Sequence, residues 1–204
     1  MNKIDLEKQN LLSVNALVKK VTFEGDFAVN VVKNPEIELF DEATYAKLPN
    51  INLKNGEINV KVYSQLLSDA PDFARGFIGV AFRIDENDSK FECFYVRPTN
   101  GNTNDPVRKN HAVQYFSYPD YKFDVLRENN PDVFEAPADI ALNEWIDLKI
   151  IVVGNKRSLY INQSTEPVLV IDAFKGNMPT GNIALWCDVG TDAYFKDLVI
   201  TEYV

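Results

Sequence analysis

Hydrophobic and polar residues alternate along most of the chain with the period of two that β-strands show. In EINVKVYSQL, which covers residues 57–66, Ile58, Val60 and Val62 alternate with more polar neighbours, as in a strand with one buried and one exposed face. Similar short segments recur from Ala16 onward, separated by turn residues, and no segment holds the helical period over a useful length. The pattern predicts an all-β sandwich or barrel of many short antiparallel strands.

Two pairs of segments have clear hairpin signals. Glu24-Gly25-Asp26 separates the apolar segment ALVKKVTF from FAVNVVK, and Gly154-Asn155 separates NEWIDLKIIVV from RSLYIN. Gly and Asn accept the left-handed backbone that tight hairpin turns require. By contrast, residues 98–143 predict a long irregular section that contains one short strand, HAVQYFS.

The first 14 residues lie outside the β pattern. Residues 5–13 predict a short helix or a mobile arm, with Leu6, Leu11 and Leu12 as the apolar positions. Residues 15–204 are predicted to form a single domain, because a chain of this length can bury roughly 70% of the surface that it exposes when unfolded.

Composition and charge exclude several classes of partner. The net charge of −9 disfavours nucleic acid, which needs a basic face, and anionic membrane surfaces. No apolar run approaches the roughly 20 residues of a membrane-spanning helix. The N-terminus lacks a secretory signal, so the expected location is the cytoplasm, or outside the cell if a leader has been removed. Cys93 and Cys187 could form one disulfide, but buried free thiols are favoured in a reducing compartment.

The turn DENDS at residues 85–89 sets the register of the two strands that it joins. Pairing across this turn places Val80 opposite Phe94 and Ile78 opposite Val96. These apolar pairs are expected to face the core.

The opposite face of the same two strands carries the main candidate site. Register places Arg83, Tyr95 and Arg97 there, with Tyr95 across from Gly79. Aromatic faces and planar polar groups suit a hydroxyl-rich ligand such as a sugar. Two interpretations stay open: this face forms a cleft, or residues 98–143 cover it.

Nearby residues extend this candidate site. His111 is the only histidine and stands close to Gln114 in the sequence. Trp186 and Asp188 are expected to share one strand face, so that the indole could stack on a sugar while the carboxylate binds its hydroxyl groups. The alternatives are a structural histidine and a tryptophan packed beneath a loop.

Several segments together resemble a known superfamily. These are ARGFIGVAFRIDENDSKFECFYVRPTN, RKNHAVQYFSYPDY, and the C-terminal series NEWIDLKIIVVGNKRSLYIN, GNIALWCDVG and TDAYFKDLVI. They are similar to the concanavalin A-like lectin/glucanase superfamily, and most of all to its laminin-G-like bacterial branch with 3-keto-disaccharide hydrolase-type domains. The resemblance covers the chain from about Ala16 and implies a two-sheet antiparallel jelly-roll β-sandwich. It also implies a ligand site on the concave sheet face or at its rim.

A hydrolytic role would need two carboxylates on either side of the scissile bond. Glucanases of this superfamily carry E-x-D-x-x-E on a concave strand, and the nearest segment here, residues 36–41 (EIELFD), is interpreted as a solvated edge strand. Asp188, Asp120 and Glu135 are the remaining candidates for catalysis. Because no carboxylate pair is evident, an enzyme is less favoured than a binding domain.

Metal and cofactor expectations are weak. One histidine cannot form a multi-histidine metal site, and no cofactor is expected. Calcium is common in the superfamily that the chain resembles and stays open. Glu24, Asp26 and Asp197 are the candidate oxygen ligands.

Three functions follow from these observations. The first is a carbohydrate-binding, lectin-like domain that uses the ligand-binding candidates Arg83, Tyr95, Arg97, His111, Gln114 and Trp186. The second is a glycoside hydrolase of the same fold, and the third is an interaction domain without a sugar ligand. The oligomeric state stays open.

Overall fold

Short strands dominate the computed structural model, which describes residues 2–172 and 179–203. In chain order the strands are β1 (Asn2–Lys3), β2 (Leu12–Val14), β3 (Ala16–Phe23), β4 (Asp26–Lys33), β5 (Tyr45–Leu53), β6 (Gly56–Leu66), β7 (Ile78–Ile84), β8 (Phe91–Val96), β9 (Val113–Tyr118), β10 (Glu135–Ala136), β11 (Ile146–Val153), β12 (Lys156–Ile161), β13 (Leu169–Ile171), β14 (Gly181–Cys187) and β15 (Thr191–Glu202). Three short helices are α1 (Pro98–Gly101), α2 (Pro106–Asn110) and α3 (Phe123–Asn129).

The strands form two antiparallel sheets, which confirms the predicted two-sheet β-sandwich. The first sheet has the order β13-β12-β11-β6-β15-β4-β3, with β1 also paired to β15. The second has the order β10-β9-β8-β7-β14-β5-β2. Both predicted hairpins are present, β3–β4 around Glu24-Gly25 and β11–β12 around Gly154-Asn155.

The two sheets differ in what covers their outer faces. In β11 of the first sheet, buried Ile146, Leu148 and Ile150 alternate with partly exposed residues, so one face meets solvent. In β7 and β8 of the second sheet, every residue is buried. Irregular segments therefore cover the outer face of the second sheet, and this face carries the candidate site.

The register predicted for β7 and β8 is confirmed. Val80 pairs with Phe94 and Ile78 with Val96, and all four side chains are buried. The predicted face fails only at Arg83, which has a positive φ of 53°, next to a register irregularity between β7 and β14. Such a bulge turns a side chain to the other face of a strand.

Three other segments differ from the predictions. The helix alternative for residues 5–13 is wrong: this stretch is turn and extended chain that leads into β2. Residues 36–41, expected as an edge strand, are irregular. The section 98–143 contains helices α1 to α3 besides strand. The sequence did not predict these helices because they have four to seven residues and are too short to show a helical period.

Both cysteines are buried free thiols, as predicted. Burial raises the pKa of Cys93 and of Cys187, which keeps the thiols protonated. No helix within the described ranges is long and apolar enough to cross a bilayer.

Candidate functional site

The outer face of the second sheet carries a row of side chains across four strands. Gln114 of β9 pairs with Tyr95 of β8, Tyr95 with Gly79 of β7, and Gly79 with Trp186 of β14. Because glycine has no side chain, the rings of Tyr95 and Trp186 can pack across it, with their centres 4.9 Å apart. A Cβ at Gly79 would lie 2.6 Å from Tyr95 Cα, so the row requires glycine there.

Two irregular segments lie over this row. Trp186 is fully buried, and its Nε1 donates to the carbonyl of Glu42 at 2.8 Å. The backbone N–H of Phe123, at the start of α3, donates to the carboxylate of Asp41 at 2.7 Å. Residues 36–44 and α3 are therefore tied to each other and to the sheet. The two open interpretations are both met in part: the face is covered, and a cavity remains.

A cavity of about 630 Å³ lies beside Tyr95 and Arg97. Its aromatic wall is formed by Phe40, Phe73 and Phe123. The Phe40 ring packs edge to face against Phe73 and Phe123, with ring centres 5.6 Å and 6.1 Å apart, respectively. Phe73 is 52% exposed and Phe40 is 37% exposed, so these rings present apolar surface to solvent at the cavity mouth.

Arg97 is held rigidly at the floor of the cavity. Its Nη2 donates to Tyr95 Oη at 2.7 Å and to Gln114 Oε1 at 3.1 Å, and its Nη1 donates to Glu135 Oε1 at 3.1 Å. The guanidinium also lies 4.9 Å from the centre of the Tyr95 ring. This network fixes the orientation of Arg97.

Glu135 collects three cationic or titratable neighbours. Besides Arg97, it accepts two hydrogen bonds from Arg127 and lies 3.5 Å from His111 Nε2. Burial by itself raises the pKa of Glu135, but the bond from Arg127 and the charges of Arg97 and Arg127 outweigh burial, so the pKa is lowered. Burial lowers the pKa of His111 against the opposing effect of Glu135.

Two carboxylates meet at the opposite wall. Asp188 accepts from Lys33 Nζ and, at 2.9 Å, from the backbone N–H of Asp41. Burial, followed by the nearby charge of Asp188, raises the pKa of Asp41 to about 7. Asp41 therefore holds a proton for part of the time at neutral pH, while Asp188 forms an ion pair with Lys33.

Two further arginines line the cavity. Arg75 Nη1 donates to the backbone carbonyls of Asp72 and Ala74 at 2.7 and 2.8 Å. Arg108 of α2 donates through Nε to Asn100 Oδ1 at 3.1 Å. Both guanidinium groups are partly buried and bonded to uncharged partners.

The structure brings most of the predicted ligand-binding residues together, in different roles. Tyr95, Arg97 and His111 line the cavity. Gln114 is buried beneath it, where it accepts from Arg97 and donates to two backbone carbonyls. Trp186 lies in the same row, but it is fully buried beneath residues 36–44, so of the two interpretations the tryptophan packed beneath a loop is confirmed and stacking on a sugar is not.

Arg83 lies elsewhere. It donates to Glu92 at 3.4 Å and to the backbone carbonyls of Lys54 and Gly154, on the side of the sheet that faces the first sheet. The placement of Arg83 beside Tyr95, which followed from strand register alone, is wrong because of the bulge described above.

Some of the catalytic and metal candidates lie at the cavity and others lie away from it. Asp188 lines the cavity and Glu135 lies beside it, whereas Asp120 is exposed and outside it. Of the calcium candidates, Glu24 accepts from Trp145, Asp26 pairs with Lys196 and Asp197 with Lys3. Among residues 2–172 and 179–203, no three metal-ligating side chains form a cluster.

Sequence reasoning missed most of the cavity wall: of the 14 described residues that line it, only Tyr95, Arg97, His111 and Asp188 were candidates. Phe40 and Asp41 belong to residues 36–41, which were interpreted as a solvated edge strand, and Phe73, Arg75 and Arg127 were not singled out. Four of the six arginines line this cavity, and the other two, Arg83 and Arg157, bind Glu92. Only the structure separates these two groups, because the six positions are spread along the sequence.

Comparison with solved structures gives the fold. A carbohydrate-binding module from Bacillus subtilis superposes with a TM-score of 0.59 at 12% identity, covering 94% of this chain and 95% of that one. A protein of unknown function with a galectin-like fold, also from Bacillus subtilis, has a TM-score of 0.55 at 11% identity and covers 97% and 90%. A putative glycosyl hydrolase from Parabacteroides distasonis has a TM-score of 0.53 at 10% identity and covers 87% and 81%.

These similarities establish that the chain shares the two-sheet β-sandwich fold of these three structures. No protein-family model matches the chain, and no curated protein matches its sequence. Because a fold of this kind hosts different functions, function has to be argued from the cavity itself.

Proposed function

We propose that this chain is a carbohydrate-binding, lectin-like domain whose ligand occupies the cavity on the outer face of the second sheet. The observation that carries the proposal is the exposed Phe40–Phe73 pair beside the fixed guanidinium of Arg97. Sugar rings present apolar C–H faces to aromatic rings and hydroxyl groups to planar polar side chains. The cavity volume of about 630 Å³ is in the range of small-molecule sites.

The solved structures of similar fold support the same proposal. One of them is a carbohydrate-binding module, according to its name, and its length matches this chain almost completely. The laminin-G-like, 3-keto-disaccharide hydrolase-type branch that the sequence resembles is the finer assignment proposed here.

A glycan array followed by calorimetric titration of the strongest ligand tests the proposal. Phe73→Ala is expected to raise the Kd about fivefold, since an aromatic contact contributes roughly 0.5–1.5 kcal/mol beyond its buried area. Tyr203→Ala is the matched control, because Tyr203 is a 40% exposed aromatic outside the cavity. Binding of no glycan, or an equal Kd for both variants, contradicts the proposal.

A glycoside hydrolase is the second candidate, and Asp41 favours it. Its pKa of about 7 suits a general acid at neutral pH. Asp188, a second carboxylate that lines the same cavity, is one cause of that raised pKa. Reducing-sugar release that is lost in both Asp41→Asn and Asp188→Asn, but kept in Asp120→Asn, would establish the enzyme. Saccharide binding without any release supports the lectin-like domain.

A further inference from the structure

The cavity is rich in positive charge, although the chain is acidic. Arg75, Arg97, Arg108 and Arg127 all line it, in a protein of net charge −9. A concentration of arginine against the overall charge calls for an explanation from pairing or from a ligand.

Pairing accounts for two of the four guanidinium groups. Arg97 and Arg127 share the carboxylate of Glu135. That buried carboxylate compensates one of their two charges, and the network around it orients Arg97 as described above.

Pairing does not account for Arg75 and Arg108. Within residues 2–172 and 179–203, the arginines that lie within 4.0 Å of a carboxylate oxygen are Arg83, Arg97, Arg127 and Arg157. The bonds of Arg75 and Arg108 go to backbone carbonyls and to Asn100 and Thr99. Burial lowers the pKa of Arg75, and the charges of Arg108 and Arg97 lower it further, so these cations lie close enough to repel one another.

The acids of the cavity do not cancel this charge. Asp188 is already paired with Lys33, and Asp41 is partly protonated at neutral pH. Glu38 is exposed at the mouth. The wall formed by Arg75 and Arg108 therefore stays cationic and partly desolvated, which strengthens its attraction for an anion.

We propose that the saccharide bound here is acidic, with a carboxylate of the uronic acid type placed between Arg75 and Arg108 and its ring against Phe73. This inference rests on the proposed function and specifies its ligand class. A planar guanidinium binds a planar carboxylate through paired hydrogen bonds. Among the described residues, the hydrogen bonds of Arg75 use Nη1 and those of Arg108 use Nε and Nη2, which leaves Arg75 Nε and Nη2 and Arg108 Nη1 to donate to a ligand.

The test compares ligands that differ only in charge. A glycan array of matched neutral and uronate oligosaccharides is screened first, and the strongest uronate is then titrated beside its methyl ester. The free acid is expected to bind at least about tenfold more tightly, as expected for a charge-assisted hydrogen bond, and its affinity should fall with added salt. Equal affinity of acid and ester, or a neutral glycan as the strongest ligand, overturns this inference and leaves the proposed function standing. Binding of no glycan overturns both.

The variants locate the effect. Arg75→Gln with Arg108→Gln is expected to remove the preference for the acid, so that the affinities of the variant for acid and ester agree within about twofold. Lys109→Gln is the control, since Lys109 is the exposed neighbour of Arg108 in α2 and lies outside the cavity. Thermal unfolding confirms that the variants fold, and Arg108→Gln alone replaces the double variant if that one does not. An unchanged preference in the variant overturns the inference.

Discussion

Two arginine–glutamate clusters are built around the same strand, β8, and differ in where they face. The sealed cluster consists of Glu92, Arg83, Tyr115 and Arg157 and lies between the sheets, where Glu92 accepts from all three partners. The pocket cluster consists of Glu135, Arg97, Arg127, His111, Tyr95 and Gln114 and lies on the outer face.

The difference between the clusters separates structure from function. Every ion-paired side chain of the sealed cluster is at most 3% exposed, so no ligand can reach it. In the pocket cluster Arg127 is 38% exposed, and Arg97 lines a cavity. A buried ion cluster is therefore not by itself a sign of a functional site. What separates the two clusters is whether a ligand can reach them.

Removing the carboxylate at the centre of each cluster gives the largest expected difference. Glu92→Gln leaves two arginines between the sheets without a charged partner, and we expect the free energy of unfolding to fall by about 3–5 kcal/mol. Glu135→Gln should cost about 1–2 kcal/mol, because Arg127 can turn to solvent and Arg97 keeps its bonds to Tyr95 and Gln114. Urea denaturation measures both, and equal losses would contradict the distinction.

The pH dependence of the unfolding free energy provides a second test, at Asp41 in the wall of the cavity. The pKa of Asp41 rises from about 3.9 in the unfolded chain to about 7 in the fold. The folded state therefore binds this proton more tightly, and its stabilising effect is lost as the pH rises from about 4 through 7.

Asp41→Asn keeps an oxygen for the Phe123 N–H and removes this titration. At pH 9 the variant is expected to exceed the wild type by on the order of 2–4 kcal/mol in unfolding free energy, with little difference at pH 4. Denaturation at several pH values checks this, with Asp120→Asn at an exposed position as the control. A pH-independent difference would contradict the raised pKa.

The smallest expected difference in unfolding free energy is between two tyrosines, one in each cluster. Tyr115 Oη donates to Glu92 at 2.8 Å in the sealed cluster, and Tyr95 Oη accepts from Arg97 at 2.7 Å in the pocket cluster. Tyr115→Phe is expected to cost about 1.5–3 kcal/mol and Tyr95→Phe about 0.5–1.5 kcal/mol, since Arg97 keeps other acceptors. Thermal and urea unfolding of the two single variants measure the difference, and the reverse order would contradict it.

The strands and their register were readable from the sequence to a large extent. Alternation located β6, and turn residues located the hairpins β3–β4 and β11–β12. The β7–β8 register followed from the five-residue turn, which put Tyr95 and Arg97 on the correct face. The resemblance to lectin/glucanase proteins pointed to the same architecture.

Less than half of the candidate site could be predicted from the sequence. The backbone N–H of Asp41 donates to Asp188 across 147 residues of sequence, whereas the alternation within residues 36–41 predicted a solvated edge strand and no such contact. The bulge at Arg83 reversed one predicted side chain, because a single extra residue in a strand exchanges its two faces. Trp186 was placed on the correct face, but its cover could not be read from β14 itself.

The sequence alone determined which side chains of a strand share a face, because in an extended chain successive side chains point in opposite directions. Only the tertiary structure decided which face becomes a cavity and which is sealed. That outcome depends on segments such as residues 36–44 and α3, whose positions are fixed by bonds to distant parts of the chain, including the Phe123–Asp41 and Trp186–Glu42 contacts. Local periodicity carries no information about such contacts, whereas packing and hydrogen bonding across the folded chain do.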